Sequence, residues 1–370
     1  MKIEVTQEKI NKALNIVSKV AGGNRATLPI LNNILIKVEK KKVSLTATNL
    51  DVAIVDYIPT SKSEDGNVTI PARLLADFVS NLPRGEMVEI STDGNKVKIK
   101  SGKYASIING TPADDYPELP EIDEKKALTF KMNVDDFKEG LEGIVFASSN
   151  DLTRPALTGV YFNTNDSDLY LAATDGYRLA ERKFISKVKS EVEAIVPAGS
   201  LQEVLRSVDD ETEEIEILFD ESQVRFRLDE IEITSKLIDG SFPDYRQLIP
   251  KKSDIEVELE REELVRVTKL AALFAREVGG SVILETNKEK QVFTIASVVN
   301  EYGENTSEIE TKIDKDVKVV LNSRYLLDVL NILKDEKVGL RFSNKLDPVV
   351  VKNASDKGEY THIIMPLNMK

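Results

Sequence analysis

Apolar positions along the chain fall into one pattern that recurs six times. A strand-like stretch ends at Val196, Pro197 to Ser200 turn the chain, and Leu201, Val204, Leu205 and Val208 follow at helical spacing. Proline is tolerated in the first turn of a helix, so this turn can open one. The same strand end, turn and stripe return at Val5-Thr6 (Ile10, Leu14, Val17) and Ile70-Pro71 (Leu74, Leu75, Phe78, Val79, Leu82). They return again at Met132-Asn133 (Phe137, Leu141, Ile144, Val145), Leu259-Glu260 (Leu264, Val267, Leu270, Phe274) and Leu321-Asn322 (Leu326, Val329, Leu330, Leu333). Successive strand ends lie 62 to 65 residues apart, the mark of one supersecondary unit used six times.

After each helical stripe the period changes from 3.6 to two. Ile34, Ile36, Val38, Val43, Leu45 and Ala47 alternate with polar residues, and GVYFNTNDSDLYLAATDGYRLAERKFI, KVKIKSGKYASIING and SQVRFRLDEIEITSKLI read as further strands and hairpins. Such sheets bury one face and wet the other. A repeated strand–helix–three-strand unit predicts an α+β fold with helices segregated to one side of largely antiparallel sheets. Two proline-rich, charged stretches, Asp114 to Ala127 and Ser241 to Asp254, each follow an even-numbered repeat and read as joints. Paired repeats then give three domains, 1–122, 128–250 and 255–370, as a chain of 370 residues can accommodate.

Composition removes most chemistry. With no Cys, disulfides, thiolate metal sites and cysteine nucleophiles are excluded, and the single His362 leaves no histidine metal cluster and no ordinary Ser-His-Asp triad. No phosphate loop of the G-x-x-x-x-G-K-[ST] type is present, and Gly102-Lys103 lacks both the earlier glycine and the following hydroxyl. An enzyme would have to rely on carboxylates, of which only Asp175 sits in a suggestive setting; no catalytic residue, metal or cofactor is expected. MKIEVTQEKI lacks the apolar core of a signal peptide, and no run approaches membrane-spanning length, so a cytoplasmic location away from membranes is expected.

The net charge of −13 argues against a nucleic-acid partner until its distribution is read. Residues 1–126 are close to neutral (+1), 127–253 carry −10 and 254–370 carry −4. The run Asp209 to Glu216 reads as a solvated loop or hairpin. Outer helix faces hold Lys9, Lys12, Lys19, Arg73, Arg206, Arg266 and Lys269, mixed with Asp77, Glu203 and Asp328. Six helices at ~10 Å spacing would enclose a circle only ~20 Å across, whereas twelve leave an opening of ~30 Å. A duplex is at least ~16 Å thick, so two chains closed head to tail by a two-fold could admit one. The same arithmetic allows an open, non-encircling repeat protein that binds peptides or glycans.

Six segments carry a family resemblance: LAATDGYRLAER, SKLIDGSFPDYRQLIPK, LNSRYLLDVLNILK, IIMPLNMK, ATLPILNNILIKV and NGTPADDYPELP. In order and over the full length, they resemble the bacterial sliding clamp, the beta subunit of DNA polymerase III. The resemblance implies the DNA-clamp fold closed into a homodimeric ring around duplex DNA. Such a ring has no chemistry of its own and tethers the replicative polymerase, with the clamp loader and repair polymerases binding in turn through short extended hydrophobic peptides. It implies sequence-independent contact with double-stranded DNA by Arg25, Arg73 and Asn150. Helix-face geometry adds Lys12, Arg206 and Lys269. Residue-by-residue matching places the partner-peptide pocket at Arg154, Leu157, Thr174, Gly176, Tyr177, Arg178, Leu179, Pro243, Leu248, Asn322, Tyr325, Pro348, Ile363, Met365, Pro366 and Leu367. Arg154 and Arg178 are expected at its rim and Leu, Met and Pro in its groove. Ring closure is expected to pair Ile107-Ile108 with Leu273-Phe274. Pro155-Ala156, Gln247, Asn368 and Lys370 depart from the family pattern and bear on peptide preference.

Overall fold

The computed structural model describes residues 1–22, 28–250, 253–276, 279–297, 303–344, 346–355 and 358–368. Each of the six repeats is one strand, one helix and three strands. The first is β1 (Lys2–Thr6), α1 (Gln7–Val17), β2 (Asn33–Glu39), β3 (Lys42–Thr48) and β4 (Val52–Ile58). A short β5 (Lys62–Glu64) precedes the second: β6 (Gly66–Pro71), α2 (Ala72–Ser80), β7 (Met87–Asp93), β8 (Lys96–Ser101) and β9 (Tyr104–Asn109). The third is β10 (Leu128–Asn133), α3 (Val134–Val145), β11 (Gly159–Asn165), β12 (Asp168–Thr174) and β13 (Arg178–Ile185). The fourth is β14 (Glu193–Pro197), α4 (Ala198–Ser207), β15 (Glu214–Phe219), β16 (Gln223–Leu228) and β17 (Ile231–Lys236). The fifth is β18 (Ile255–Glu260), α5 (Arg261–Ala275), β19 (Ser281–Asn287), β20 (Val292–Ser297) and β21 (Thr306–Glu310). The sixth is β22 (Val317–Asn322), α6 (Ser323–Ile332), β23 (Lys337–Phe342), β24 (Val349–Asn353) and β25 (Tyr360–Ile364). Five of the six strand ends predicted from sequence coincide with the ends of these strands, and the sixth, Val196, falls one residue short of the end of β14.

Two compact units emerge, residues 1–137 with 199–237 and residues 138–198 with 238–370. Unit 1 holds a five-stranded sheet ordered β5-β1-β7-β8-β9 and an eight-stranded sheet ordered β10-β15-β16-β17-β4-β3-β2-β6. Unit 2 holds an eight-stranded sheet ordered β14-β11-β12-β13-β25-β24-β23-β18 and a four-stranded sheet ordered β21-β20-β19-β22. Every ladder is antiparallel. The eight-stranded sheets arise because β4 pairs with β17 and β13 with β25, so strands from different repeats continue one another.

Helices lay their apolar stripes on these sheets. In unit 1, α1 packs on α2, β3 and β4 with Ile10, Leu14 and Val17 fully buried. In unit 2, α5 packs on α6, β19 and β20 through Leu264, Val267 and Ala271. Two predicted stripe residues face water instead: Leu74 is 53% exposed and Leu270 43%. They sit at the margins of their stripes, and the small or polar Ala271 and Thr268 take the inward positions of α5 that bulk alone would not have nominated. The Asp209 to Glu216 run divides, a loop through Glu213 leading into β15 at Glu214. Among the described residues no helix is long and apolar enough to cross a membrane.

Candidate functional site

In unit 2 the loop between β12 and β13 is built by its own side chains. Thr174 Oγ1 donates to the Arg178 carbonyl at 2.6 Å and accepts from the Gly176 amide at 3.0 Å. The Asp175 carboxylate accepts from the amides of Tyr177 and Arg178 at 2.9 and 3.0 Å. Gly176 adopts φ +92°, a conformation that costs a side chain of ordinary chirality. The turn thereby presents Tyr177 with 56% of its surface exposed.

Behind the turn lies the guanidinium of Arg178. Its side chain is 8% exposed, with Nε 3.1 Å from Asp175 and Nη1 2.6 Å from Asp328, while Nη2 donates to the Phe146 carbonyl at 2.7 Å. Its carbon centre lies 4.6 Å from the Tyr325 ring centroid and 5.2 Å from that of Phe146. The rim role expected of Arg178 is therefore corrected: its charge is committed to holding α6 against β13. Arg154 remains at the surface, half-exposed and only loosely paired with Asp151 at 3.4 Å.

The C-terminal segment is tied at two points. The Met365 amide donates to the Tyr177 carbonyl and that of Leu367 to Val320, each at 2.8 Å. Met365, Pro366 and Leu367 are half-buried. Ala172, Leu179, Val350, Ile363 and Tyr245 form one buried cluster, flanked by Tyr161, Phe242 and Ile249. Phe242 stacks on Tyr161 at 4.8 Å between centroids. The Tyr245 hydroxyl donates to Glu181 at 2.5 Å, and burial pushes that phenol well above its ordinary range. Leu248 (48% exposed) and Pro243 stand at the surface beside this cluster, and Leu157, Pro348, Asn322 and Tyr325 are half-buried. Asn322 caps α6 by accepting from the Arg324 amide at 2.9 Å.

All sixteen pocket residues read from sequence thus belong to one unit. The structure separates them into a buried floor (Leu179, Ile363), turn-builders (Thr174, Gly176, Arg178) and surface groups (Arg154, Tyr177, Leu248). Val350, Phe242 and Tyr245 complete the floor but were not nominated. The aromatic pair lies inside the SFPDYRQL motif, whereas Val350 sits in the uniformly apolar run Val349-Val350-Val351 of β24, where alternation gives no signal. Leu152 and Leu346, 62% and 56% exposed, are further apolar surface in this unit. The arrangement suits apolar side chains of an extended segment over a dry floor with a cation at its edge. Among the described residues no three His, Asp or Glu side chains come close enough to hold a metal ion.

The residues nominated for DNA contact divide between the units. In unit 1, Arg73 is 96% exposed on α2 and only loosely paired with Asp77 at 3.8 Å, while Lys12 is ion-paired with Asp209 and Arg206 with Glu203. Lys12 and Arg206 line one groove of about 430 Å³ with Lys19 and Arg84. The Lys12 ammonium holds the Asp209 carboxyl down at about 2. In unit 2, Asn150 and Lys269 are exposed. Arg25 lies outside the described residues. Of the residues expected at ring closure, Ile107 is 61% exposed and Leu273 72%, and Phe274 is half-buried. Ile108 is 5% exposed, so its side chain belongs to the core of unit 1 and only its backbone reaches the edge.

A strand–helix–three-strand unit used six times, with sheets continued between repeats and a buried apolar cluster beside the C-terminal segment, is the build of a DNA-clamp fold. Sequence profiles of the DNA polymerase III beta subunit match throughout: the N-terminal domain over residues 1–120, the central domain over 131–244 and the C-terminal domain over 246–368. The beta sliding clamp of Bacillus subtilis (strain 168) is 30% identical over 380 residues, covering 99% of each chain. The crystal structure of the Bacillus subtilis sliding clamp superposes with a TM-score of 0.94 at 29% identity, and a Pseudomonas aeruginosa clamp bound to griselimycin with 0.93 at 27%; both comparisons cover 100% of each chain. The chain belongs to the DNA polymerase III beta subunit family.

Proposed function

We propose that this protein is a sliding clamp: two copies close head to tail into a ring that encircles duplex DNA and tethers the replicative polymerase and other replication and repair proteins. The observation that carries the reading is the end-to-end match of all six repeats to beta sliding clamps. Domains at 1–122, 128–250 and 255–370 would give the ring six similar segments. The part played is that of a non-catalytic accessory subunit of the polymerase, and processivity comes from topology, since a tethered polymerase stays at high local concentration.

Features within each unit support closure by a second copy. β9 ends the five-stranded sheet and β21 ends the four-stranded one, so each leaves an unpaired strand edge. Exposed Ile107 lies on β9 and exposed Leu273 on α5. Lys96, Lys98, Lys100 and Lys103 flank the first edge, while Glu308 and Glu310 lie on the second, so the charges are complementary. Inside the ring, Arg25, Arg73, Asn150, Lys12, Arg206 and Lys269 would touch phosphates without reading bases, and loosely enough to slide. The Leu179–Ile363–Val350 floor would seat short hydrophobic partner peptides, with Arg154 at the rim; the clamp seen with griselimycin supports a ligand site on this fold.

Light scattering and retention on DNA test the reading. A dimer that stays on nicked circular plasmid and runs off the same plasmid once linearised is the expected result. A strict monomer, or equal loss from both forms, overturns it.

A further inference from the structure

We infer that a small cleft in unit 1, floored by Asp56, binds a primary ammonium group. Asp56 lies in the middle of β4, paired across the sheet with Leu45 on one side and Ile231 on the other. The residue is 7% exposed, lines a cleft of about 260 Å³, and no described residue donates a hydrogen bond to it. A mostly buried carboxylate that opens on a cleft without a donor is costly, and it favours a cation or a proton. Burial pushes its carboxyl up to about 6, so at neutral pH the charged form still prevails.

The remaining lining fixes the sign of the ligand. Asp209 and Glu211 come from the segment after α4, and Asp229 and Glu230 from the β16–β17 turn. Against these five acids stand Lys12, whose ammonium is paired with Asp209 and also acts at longer range on Asp56, and Lys9, which is exposed at α1. Ala13, Ile58 and Leu228 supply apolar wall. No three carboxylates approach closely enough for a metal ion among the described residues, whereas an alkylammonium needs only one carboxylate at the end of a partly apolar cleft. The ammonium could be carried by a free diamine or by a lysine side chain of a partner, and the chemistry is the same. The inference does not depend on the clamp reading.

The test uses the full chain at fixed ionic strength, with putrescine and an end-blocked Gly-Lys-Gly peptide as separate probes. A saturable rise in Tm with either probe is expected, accompanied by a fall in the Asp56 carboxyl pKa followed by NMR. Putrescine binding assigns the site to free diamines, and a response to the peptide alone assigns it to a partner's lysine. Asp56→Asn should weaken binding by ~10-fold or more, since it removes the charge and keeps the shape. Glu211→Gln, at the surface and harmless to folding, should weaken it ~2- to 3-fold. An unchanged affinity in Asp56→Asn, an equal response to magnesium at matched ionic strength, or no response to either probe overturns the inference.

Discussion

The same turn is built once in each unit. In unit 1, Thr48 Oγ1 donates to the Val52 carbonyl at 2.9 Å and accepts from the Leu50 amide at 3.0 Å, while Asn49 accepts from the amides of Asp51 and Val52 at 3.0 and 2.8 Å. Thr174, Asp175 and Gly176 repeat this scheme atom for atom in unit 2. The strands that follow are also in equivalent register: Ala53 pairs with Thr234 and that with Arg225, as Leu179 pairs with Ile363 and that with Val350. The backbone is copied, but the floor is not. Unit 2 presents Leu–Ile–Val. Unit 1 presents Ala–Thr–Arg, and the Arg225 guanidinium is tied at 2.9 Å to both Thr234 Oγ1 and the Pro120 carbonyl. A local capping scheme thus sets the shape of the site, and three cross-strand side chains decide whether it is apolar.

The largest expected difference lies where the two turns end. Arg178 corresponds to Val52, and only the arginine holds two carboxylates and a carbonyl. Arg178→Ala should cost ~3–5 kcal/mol in chemical denaturation, because it strands partly buried Asp175 and Asp328. Val52→Ala should cost roughly 1.5 kcal/mol, the value of two small apolar groups. Equal losses would mean that the buried ion pairs add nothing to the copied turn.

This contrast also marks what could be read from sequence. Strand ends, helix stripes and the Asp-Gly turn were legible because each is set by residues within one repeat. Arg178 as an internal anchor was not, since its partner Asp328 is 150 residues away and arginine is usually at the surface. The eight-stranded sheets were equally hidden: β4–β17 and β13–β25 are edge-to-edge pairings between repeats, and hydrophobic alternation reports which face is buried, not which strand is adjacent. Leu74, read as part of a buried stripe, faces water, and Ile108 on the edge strand β9 turns its side chain into the core. Apolar character at the margin of a stripe or on an edge strand does not say whether a neighbour covers it.

Acid separates the units with opposite signs. His362 in β25 corresponds to Ile233 in β17, by their pairing with Ala180 and Ile54. His362 is fully buried, stacks on Phe146 at 5.5 Å, and neither ring nitrogen has a hydrogen-bond partner. Burial first, and Arg178 second, lower its pKa from 6.5 to about 3. The native state therefore refuses a proton that the unfolded chain accepts, and stability falls as pH drops from 6.5 toward 3. The slope is ~1.4 kcal/mol per pH unit, or about 2 kcal/mol by pH 5. His362→Ile should flatten this limb. Asp56 in unit 1 behaves in reverse: its carboxyl is raised from 3.8 to about 6, so its contribution is lost as pH rises through that window. Asp56→Asn should be more stable than the parent by about 3 kcal/mol well above pH 6, with the gap closing near pH 4. Denaturation midpoints of the three proteins between pH 4 and 8 check both signs.

The smallest effect sits at the turn tips. Leu50 holds φ +76° where unit 2 has Gly176 at +92°. A leucine there bears ~1 kcal/mol of strain, but replacing it with glycine also raises the entropy of the unfolded chain by nearly as much. Leu50→Gly should therefore shift stability by less than ~0.5 kcal/mol. Gly176→Ala gains no compensating freedom of that size, and its new Cβ would sit 3.3 Å from Nη1 of Arg154, a flexible group able to move. A loss of ~1 kcal/mol is expected from the backbone alone. Urea midpoints of the pair resolve the difference. If Gly176→Ala proves as silent as Leu50→Gly, the Thr and Asx caps hold the left-handed residue whatever its side chain, and glycine at the tip serves access to the cleft rather than the turn.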